Sequence, residues 1–251
     1  MYISSKDWLS FVNKLSKINQ AAADTIKDYV ARNGFANTDE LVRYCYSVCE
    51  YYGAASATWA ALMYDTVGEL EGKFYPAAEL APTPTYGEVA KAVQGTLKTS
   101  QNVDEVAGAV SRLVKRTGQD TLLQNAQRDG AQFAWIPAGE TCAFCITLAS
   151  RGWQYMSKKA LKNGHAEHIH SNCDCTYMIR HSDDIDVAGY DPQKYAEMYY
   201  DADGKTPEQK INSMRRKFYA ENREEILDKK ASAYEKRKEL NSSEAEETKI
   251  N

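Results

Sequence analysis

Residues 38–66, TDELVRYCYSVCEYYGAASATWAALMYDT, carry a regular helical pattern that sets the fold class. One stripe recurs every three to four positions, and its members are Leu41, Val42, Cys45, Val48, Tyr52, Ala55, Trp59, Leu62, Met63 and Thr66. This spacing places the stripe on one face of an α-helix. Thr38 or Asp39 can cap the helix N-terminus, because a side-chain oxygen there accepts a hydrogen bond from a first-turn N–H. We therefore predict a long amphipathic helix.

A second stripe with the same spacing precedes this helix. Its members are Trp8, Phe11, Val12, Leu15, Ile18, Ala22, Ile26, Tyr29 and Val30. Gly34 supplies a stop after it. Two long helices joined by a short turn predict a helical hairpin over residues 1–73, with the facing stripes as an internal core. Cys45 and Cys49 lie on the apolar face and are expected to be buried thiols.

Composition divides the following residues into further segments. Three prolines break the helical pattern in FYPAAELAPTPTYGE, so residues 74–87 are predicted to be a Pro-rich connector. Residues 88–130 are predicted to be a helical segment, with one helix near 88–98 and another that begins at Asn102, where Asn-Val-Asp-Glu fits a capping box. Residues 183–240 are predicted to form helices, one of them beginning at Thr206-Pro207, and residues 241–251 a flexible tail.

The segment between these helical regions has a different character. Short apolar or aromatic runs, FAWIP, WQYM and CTYMIR, are separated by turns that contain Gly or Cys, which is typical of short strands. Residues 131–182 are therefore predicted to be a small β module. The predicted fold class is mainly α, of the α+β type: long amphipathic helices with a small zinc-stapled β module in the C-terminal half.

The zinc prediction comes from a cluster in residues 140–176, which hold four of the six cysteines and three of the four histidines. Cys142 and Cys145 have a Cys-x-x-Cys spacing that lets two thiolates of one turn reach one ion. Cys173 and Cys175, in extended conformation, point both sulfur atoms to one side, and His170 precedes them by three residues. These five residues are the candidate metal ligands for the four positions of a closed, structural Zn²⁺ site. Such a site contributes on the order of 10 kcal/mol to folding.

Disulfides and two kinds of enzyme site fit the cluster less well than a structural zinc does. Disulfides are disfavoured because the N-terminus lacks a secretion signal, and a reducing compartment favours metal sites. His165-Ala-Glu167 resembles half of a zinc-dependent nucleobase deaminase, but the Cys-x-x-Cys element comes before it rather than after it. In an HNH-type nuclease, His165, His168, His170 and Asn172 would be the catalytic set, but no convincing helix with a ligand follows them. We therefore expect His165 and His168 to lie on a loop, with His168 as an alternate metal ligand.

Charge and hydropathy narrow the classes of partner. The net charge of −4 gives no overall attraction to nucleic acid, although the basic runs MRRKF and EKRKE leave a local DNA contact open. Acidic residues interleave with both runs, which favours a solvated helix. No stretch approaches the roughly 18 apolar residues that a membrane span needs, so no membrane association is expected. His181, in RHSDDID, is expected at the surface.

The segment from Arg128 to about Ile179 resembles a known family. TCAFC, followed by LASRG and then HSNCDC, is similar to the signature of phage minor head proteins related to protein F of bacteriophage Mu. The resemblance covers about a fifth of the chain and matches all five candidate ligands. Ser171-Asn172 stands where many relatives have a proline next to the histidine.

The resemblance implies a role in head assembly and no catalytic activity. We therefore expect a non-enzymatic phage minor capsid protein that acts in head morphogenesis, on the capsid interior near the portal. Its expected partners are the portal protein, the major capsid protein or the scaffold protein, with packaged DNA as a further candidate and no small-molecule substrate. The expected location is the virion, and the bacterial host cytoplasm during assembly. The alternatives are an HNH-like metal-dependent nuclease and a DNA-binding protein of the capsid lumen.

Overall fold

A computed structural model describes residues 2–72, 75–138, 141–162, 175–228, 231–232 and 234–235. The described chain is mainly helical, as predicted. Its helices are α1 (Ser5–Asn33), α2 (Thr38–Leu70), α3 (Tyr86–Thr99), α4 (Val103–Asp129), α5 (Ala143–Ala149), α6 (Lys158–Lys162), α7 (Pro192–Tyr200) and α8 (Pro207–Glu221). Its strands are β1 (Tyr2–Ile3), β2 (Gln132–Ile136), β3 (Gln154–Tyr155), β4 (Thr176–Arg180) and β5 (Asp186–Val187).

Helices α1 and α2 form the predicted hairpin. Gly34 ends α1 with a φ of 64°, a conformation that glycine adopts without steric cost. The N-cap of α2 is Asn37, whose side chain accepts the Glu40 N–H, so the sequence-based choice of Thr38 or Asp39 was wrong by one or two positions. Cys45 and Cys49 are buried, as expected. Burial raises the pKa of both thiols to about 12.

Helix α4 is the centre of the helical body, because it packs against α1, α2 and α3. Asn102 caps it, as predicted, but its side chain accepts the N–H of Asp104 and forms no capping box with Glu105. The helical core combines residues of all four helices: Ala22, Ile26, Val30, Leu41, Val42, Cys45, Val48, Cys49, Val89, Val93, Val106, Ala107, Val110, Leu113 and Val114. Burial of several such side chains, each worth about 1.5–3 kcal/mol, supplies the main driving force for this assembly.

The Pro-rich stretch between α2 and α3 is bound along α4. The Glu79 N–H donates to Asn125 Oδ1 (2.9 Å), and the Asn125 amide donates back to the Glu79 carbonyl (2.8 Å). The Ala81 N–H donates to Thr121 Oγ1 (3.0 Å). Proline breaks the helix here, and polar side chains of α4 then satisfy backbone groups that a helix would have satisfied internally.

A polar anchor joins the end of α4 to α2. Tyr64 Oη donates to Asp129 Oδ2 (2.8 Å), and Arg128 pairs with the same carboxylate (2.7 Å). Burial opposes ionisation of Asp129, but hydrogen bonds from Arg128 and Tyr64 outweigh it and hold the carboxyl pKa below its ordinary value. The His181 ring stacks on Tyr75, with centroids 3.8 Å apart, and meets the edge of Tyr64. The expectation that His181 is a surface residue was therefore wrong.

The three predicted strands form one antiparallel sheet in the order β3-β2-β4. Two further strands, β1 and β5, pair in parallel through two residues each, which is too short for an alternation pattern to reveal. Val187 of β5 and the preceding Ile185 belong to one buried cluster with Trp8 and Phe11 of α1. The sheet packs on α2, α4 and α5.

Helices α7 and α8 follow the sheet and pack on α5. Thr206 caps α8 in a capping box with Gln209, and Pro207 occupies the first turn, as predicted. Neither helix contains a fully buried residue, although both carry large apolar side chains. Among the described residues, no helix has the length and apolarity to cross a membrane.

Gly118 sets the distance between α2 and α4. A Cβ at Gly118 would lie 2.5 Å from Ser56 Oγ and 3.2 Å from the Ser56 carbonyl oxygen. A Cβ at Gly95 of α3, in contrast, would meet no atom within 4 Å. The two glycines therefore form a matched pair for a test of close helix packing.

We expect Gly118→Ala to lower the free energy of unfolding by about 1–3 kcal/mol, because the added methyl group overpacks the α2–α4 contact. Gly95→Ala is expected to raise it by about 0.5–1 kcal/mol, because alanine is the better helix former. Urea denaturation followed by circular dichroism measures both. Adding Ser56→Ala should recover part of the loss in Gly118→Ala, and equal stability of the two glycine variants would contradict the close-packing role of Gly118.

Candidate metal centre

The Cys-x-x-Cys element lies at the N-terminus of α5. Cys142 is the N-cap residue and is exposed, and its side chain makes no capping hydrogen bond. Cys145 lies in the first helical turn and is only 1% exposed. The spacing predicts that both thiols lie on one turn, and this turn is the beginning of helix α5. The two cysteines therefore differ in environment, one being exposed and the other belonging to the core.

Cys175 directly precedes β4 and is fully buried. The backbone N–H of Ala138, just after β2, donates to Cys175 Sγ (3.5 Å). Because Ile136 pairs with Thr176, the last residue of β2 and the first residue of β4 lie side by side at one end of the sheet. The chain leaves β2 at this end and continues to Cys142 and α5. The fold thus brings the two halves of the predicted site to one end of the sheet.

Tyr195 of α7 is a second link between these halves. It forms a hydrogen bond with Thr141, the residue before Cys142, and lies near Cys175. Burial and then the proximity of the Cys175 thiol raise the pKa of the Tyr195 phenol. Cys145 and Cys175 also belong to one buried cluster. Three candidate ligands therefore lie toward the same end of the sheet.

Gln119 of α4 fixes the strand that follows Cys175. The Tyr177 N–H donates to Gln119 Oε1 (3.0 Å), and Gln119 Nε2 donates to Thr176 Oγ1. Strand β4 is at the edge of the sheet, so its outward backbone N–H groups have no neighbouring strand to bond. A side chain of α4 accepts one of these hydrogen bonds instead. Sequence reasoning missed this residue. Its signal in the sequence is weak, because Gln119 is one of several polar residues on the buried side of α4.

The predicted ligand set is only partly within the described chain. Cys142, Cys145 and Cys175 are described, whereas His170 and Cys173 lie outside the described residues. Among the described residues, no group of three or more His, Cys, Asp or Glu side chains could hold a metal ion. No disulfide joins any two of the five described cysteines. All three described candidates are cysteines, two of them at the start of α5 and the third directly before β4.

The residues of the alternative enzyme hypotheses also fall outside the described chain. They are His165, Glu167, His168, His170 and Asn172. The remaining histidine, His181, follows the opposite end of β4 from Cys175, where it contacts Tyr64 and Tyr75. It therefore belongs to a structural anchor between α2, α4 and β4.

A comparison with protein families identifies the chain over most of its length. The family model described as VG15 protein matches residues 2–202. The chain belongs to the VG15 protein family. VG15 proteins are phage gene products, so this chain is a phage protein. No curated protein and no solved structure matches it.

The VG15 match shows which elements belong to the family. It extends from β1 through the helical body, the sheet and α7. It therefore includes all five candidate ligands, together with Gln119 and Tyr195. Helix α8 begins after the end of the match.

We expect Gln119→Met to lower the free energy of unfolding by about 1–3 kcal/mol. Methionine keeps a similar volume, but it leaves the Tyr177 N–H without its acceptor in a buried position. Gln94→Met is the matched control, because Gln94 is exposed on α3 and its replacement should change stability by less than about 0.5 kcal/mol. Urea denaturation of both variants measures the difference. A Gln119→Met protein as stable as the wild type would show that the strand does not need this acceptor.

Proposed function

We propose that this VG15 protein is a minor capsid protein that acts in phage head assembly. The observation that carries the proposal is the match to a phage family over residues 2–202, within which residues 128–179 resemble phage minor head proteins. The same residues span β2, α5 and β4, the elements that gather the candidate ligands. The portal, major capsid or scaffold protein is the proposed partner, on the capsid interior near the portal.

Exposed apolar side chains on α7 and α8 support a role in assembly. Met198 is 43% exposed and Phe218 is 49% exposed, and both line a groove of about 1090 Å³ between α5, α7 and α8. Acidic and basic side chains also line it, including Glu197, Asp201 and Arg215. Apolar side chains surrounded by charged ones are typical of protein–protein contact surfaces.

A closed, structural zinc site is the second part of the proposal. Cys142, Cys145 and Cys175 supply thiolates from the start of α5 and from the residue directly before β4, and His170 and Cys173 are the proposed additional ligands. Two of the three described cysteines are fully buried, which favours a closed site over a catalytic one, because a catalytic zinc keeps an open position for water. The bound ion would join α5 to β4, and the protein would have no enzymatic activity.

The zinc proposal predicts that the protein retains about one Zn²⁺ per chain after purification. Cys142→Ser and Cys175→Ser should each reduce the bound zinc and lower the midpoint of thermal unfolding, because a structural zinc contributes directly to folding. Metal content is measured by mass spectrometry, and cobalt substitution reports thiolate ligation by its absorption band. Cys45→Ala is the control, since Cys45 is a buried thiol of the helical core.

Cys45→Ala should lose stability but keep its zinc. Full zinc content in both Cys142→Ser and Cys175→Ser would remove these residues from the ligand set. A wild-type protein that contains no zinc, and whose unfolding a chelator does not alter, would disprove the structural site.

The assembly proposal predicts that the protein is present in purified proheads and virions in few copies. A phage that carries Phe218→Asp should incorporate less of the protein, because a charge replaces an apolar contact in the α7–α8 groove. Asn13→Asp on the exposed side of α1 adds the same charge elsewhere and should incorporate normally. Quantitative mass spectrometry of the particles measures this. Absence of the wild-type protein from both proheads and virions would refute a capsid role.

A further inference from the structure

A second groove lies between α3 and α4, on the helical body and away from the candidate metal centre. It has a volume of about 520 Å³. Its charged lining residues are Glu88 and Lys91 of α3 and Arg112 and Arg116 of α4. Gly95 of α3 also lines it. Although the chain carries a net charge of −4, this groove brings three cationic side chains together.

Arg116 is neutralised by carboxylates of the protein itself. Its Nη2 atom lies 2.6 Å from Glu88 Oε1, and its Nε atom lies 3.7 Å from Asp120. Burial opposes ionisation of Glu88, but hydrogen bonds from Thr85 and Arg116 hold its pKa below the ordinary value. Glu88 therefore stays charged at neutral pH, and Arg116 has a structural partner on α3.

Lys91 and Arg112 differ from Arg116 in this respect. Both are exposed, and neither forms an ion pair with any of the described residues. They belong to opposite walls of the groove. The groove thus presents positive charge that the described part of the protein leaves uncompensated.

Gly95 keeps the α3 wall of this groove open. A Cβ there would meet no atom within 4 Å, so the glycine is not required by the packing of the helices. Glycine in a helix interior costs about 1 kcal/mol relative to alanine. Its effect here is to let a ligand approach the α3 backbone between Lys91 and Thr96.

We propose that the α3–α4 groove binds the phosphate backbone of duplex DNA. A phosphodiester chain supplies regularly spaced negative charges, which two uncompensated cations on facing walls can neutralise simultaneously. No base-reading element enters into this contact, so the binding is independent of sequence. The choice of DNA over an acidic peptide rests on the proposed function, because a protein on the capsid interior faces packaged DNA.

The proposal specifies how strongly binding depends on salt. Neutralising two phosphates gives a slope of log K against log salt of about −2. Loss of one phosphate contact reduces the slope by about 0.9, which corresponds to a roughly ten-fold weaker affinity at about 50 mM salt. Lys91→Gln and Arg112→Gln should each produce this change, and the double variant should abolish measurable binding.

Substitutions at Gly95 test the position of the ligand without removing a cation. Gly95→Glu places a carboxylate in the groove and should weaken binding at least ten-fold, whereas the isosteric Gly95→Gln should weaken it less. Both variants are expected to fold, because the site is open. Arg215→Gln on α8, within the basic run MRRKF, is the control for DNA binding elsewhere and should bind as the wild type does.

Fluorescence anisotropy of the purified full chain with a labelled 30-base-pair duplex, across a series of salt concentrations, is the measurement. Failure of the wild-type protein to bind at low salt would overturn the proposal, as would variants of Lys91 and Arg112 that bind normally. Binding of poly-glutamate without binding of DNA would assign the groove to an acidic protein instead. The assay does not depend on head assembly, so its failure is separate from a failure of the virion experiment.

Discussion

The close contact between α2 and α4 is the constraint on which the rest of the structure depends. Gly118 meets Ser56 with no room for a side chain, so the two helices can approach closely enough to bury their apolar stripes. Helix α4 also packs on α1 and α3, so its position relative to α2 affects both of these contacts. Because packing in a protein core is dense, this single spacing constrains the position of the other helices.

Buried polar side chains of α4 also hold two segments outside the helices, the Pro-rich stretch and strand β4. Asn125 and Thr121 bind the backbone of the Pro-rich stretch, and Gln119 binds the strand that follows Cys175. Each of these bonds satisfies a backbone group that has no partner within its own element. Gln119 in particular helps to position β4, and with it Cys175 at the end of the sheet.

Sequence patterns predicted the long helices and the three strands of the main sheet, because these patterns repeat over many residues or end at clear caps and turns. They placed the α2 cap one or two residues late, since Asn37, Thr38 and Asp39 can all accept the same kind of hydrogen bond. Helix α5 and the strands β1 and β5 were missed because they are short. The environment of His181 depends on aromatic rings of α2 and the Pro-rich stretch, which are distant in sequence. Spacing alone could not reveal it.

The pairing of β1 with β5 has a mechanical consequence. Residues 2–3 bond to residues 186–187, and the Ala188 N–H donates to the Ile3 carbonyl (3.0 Å), so the chain closes on itself before α7 begins. The buried members of all three apolar clusters lie within this closed part. A force that a partner applies to α7 or α8 would act first on the β1–β5 pairing and on the contacts of these helices with α5. The helical body would keep its shape while the C-terminal helices moved.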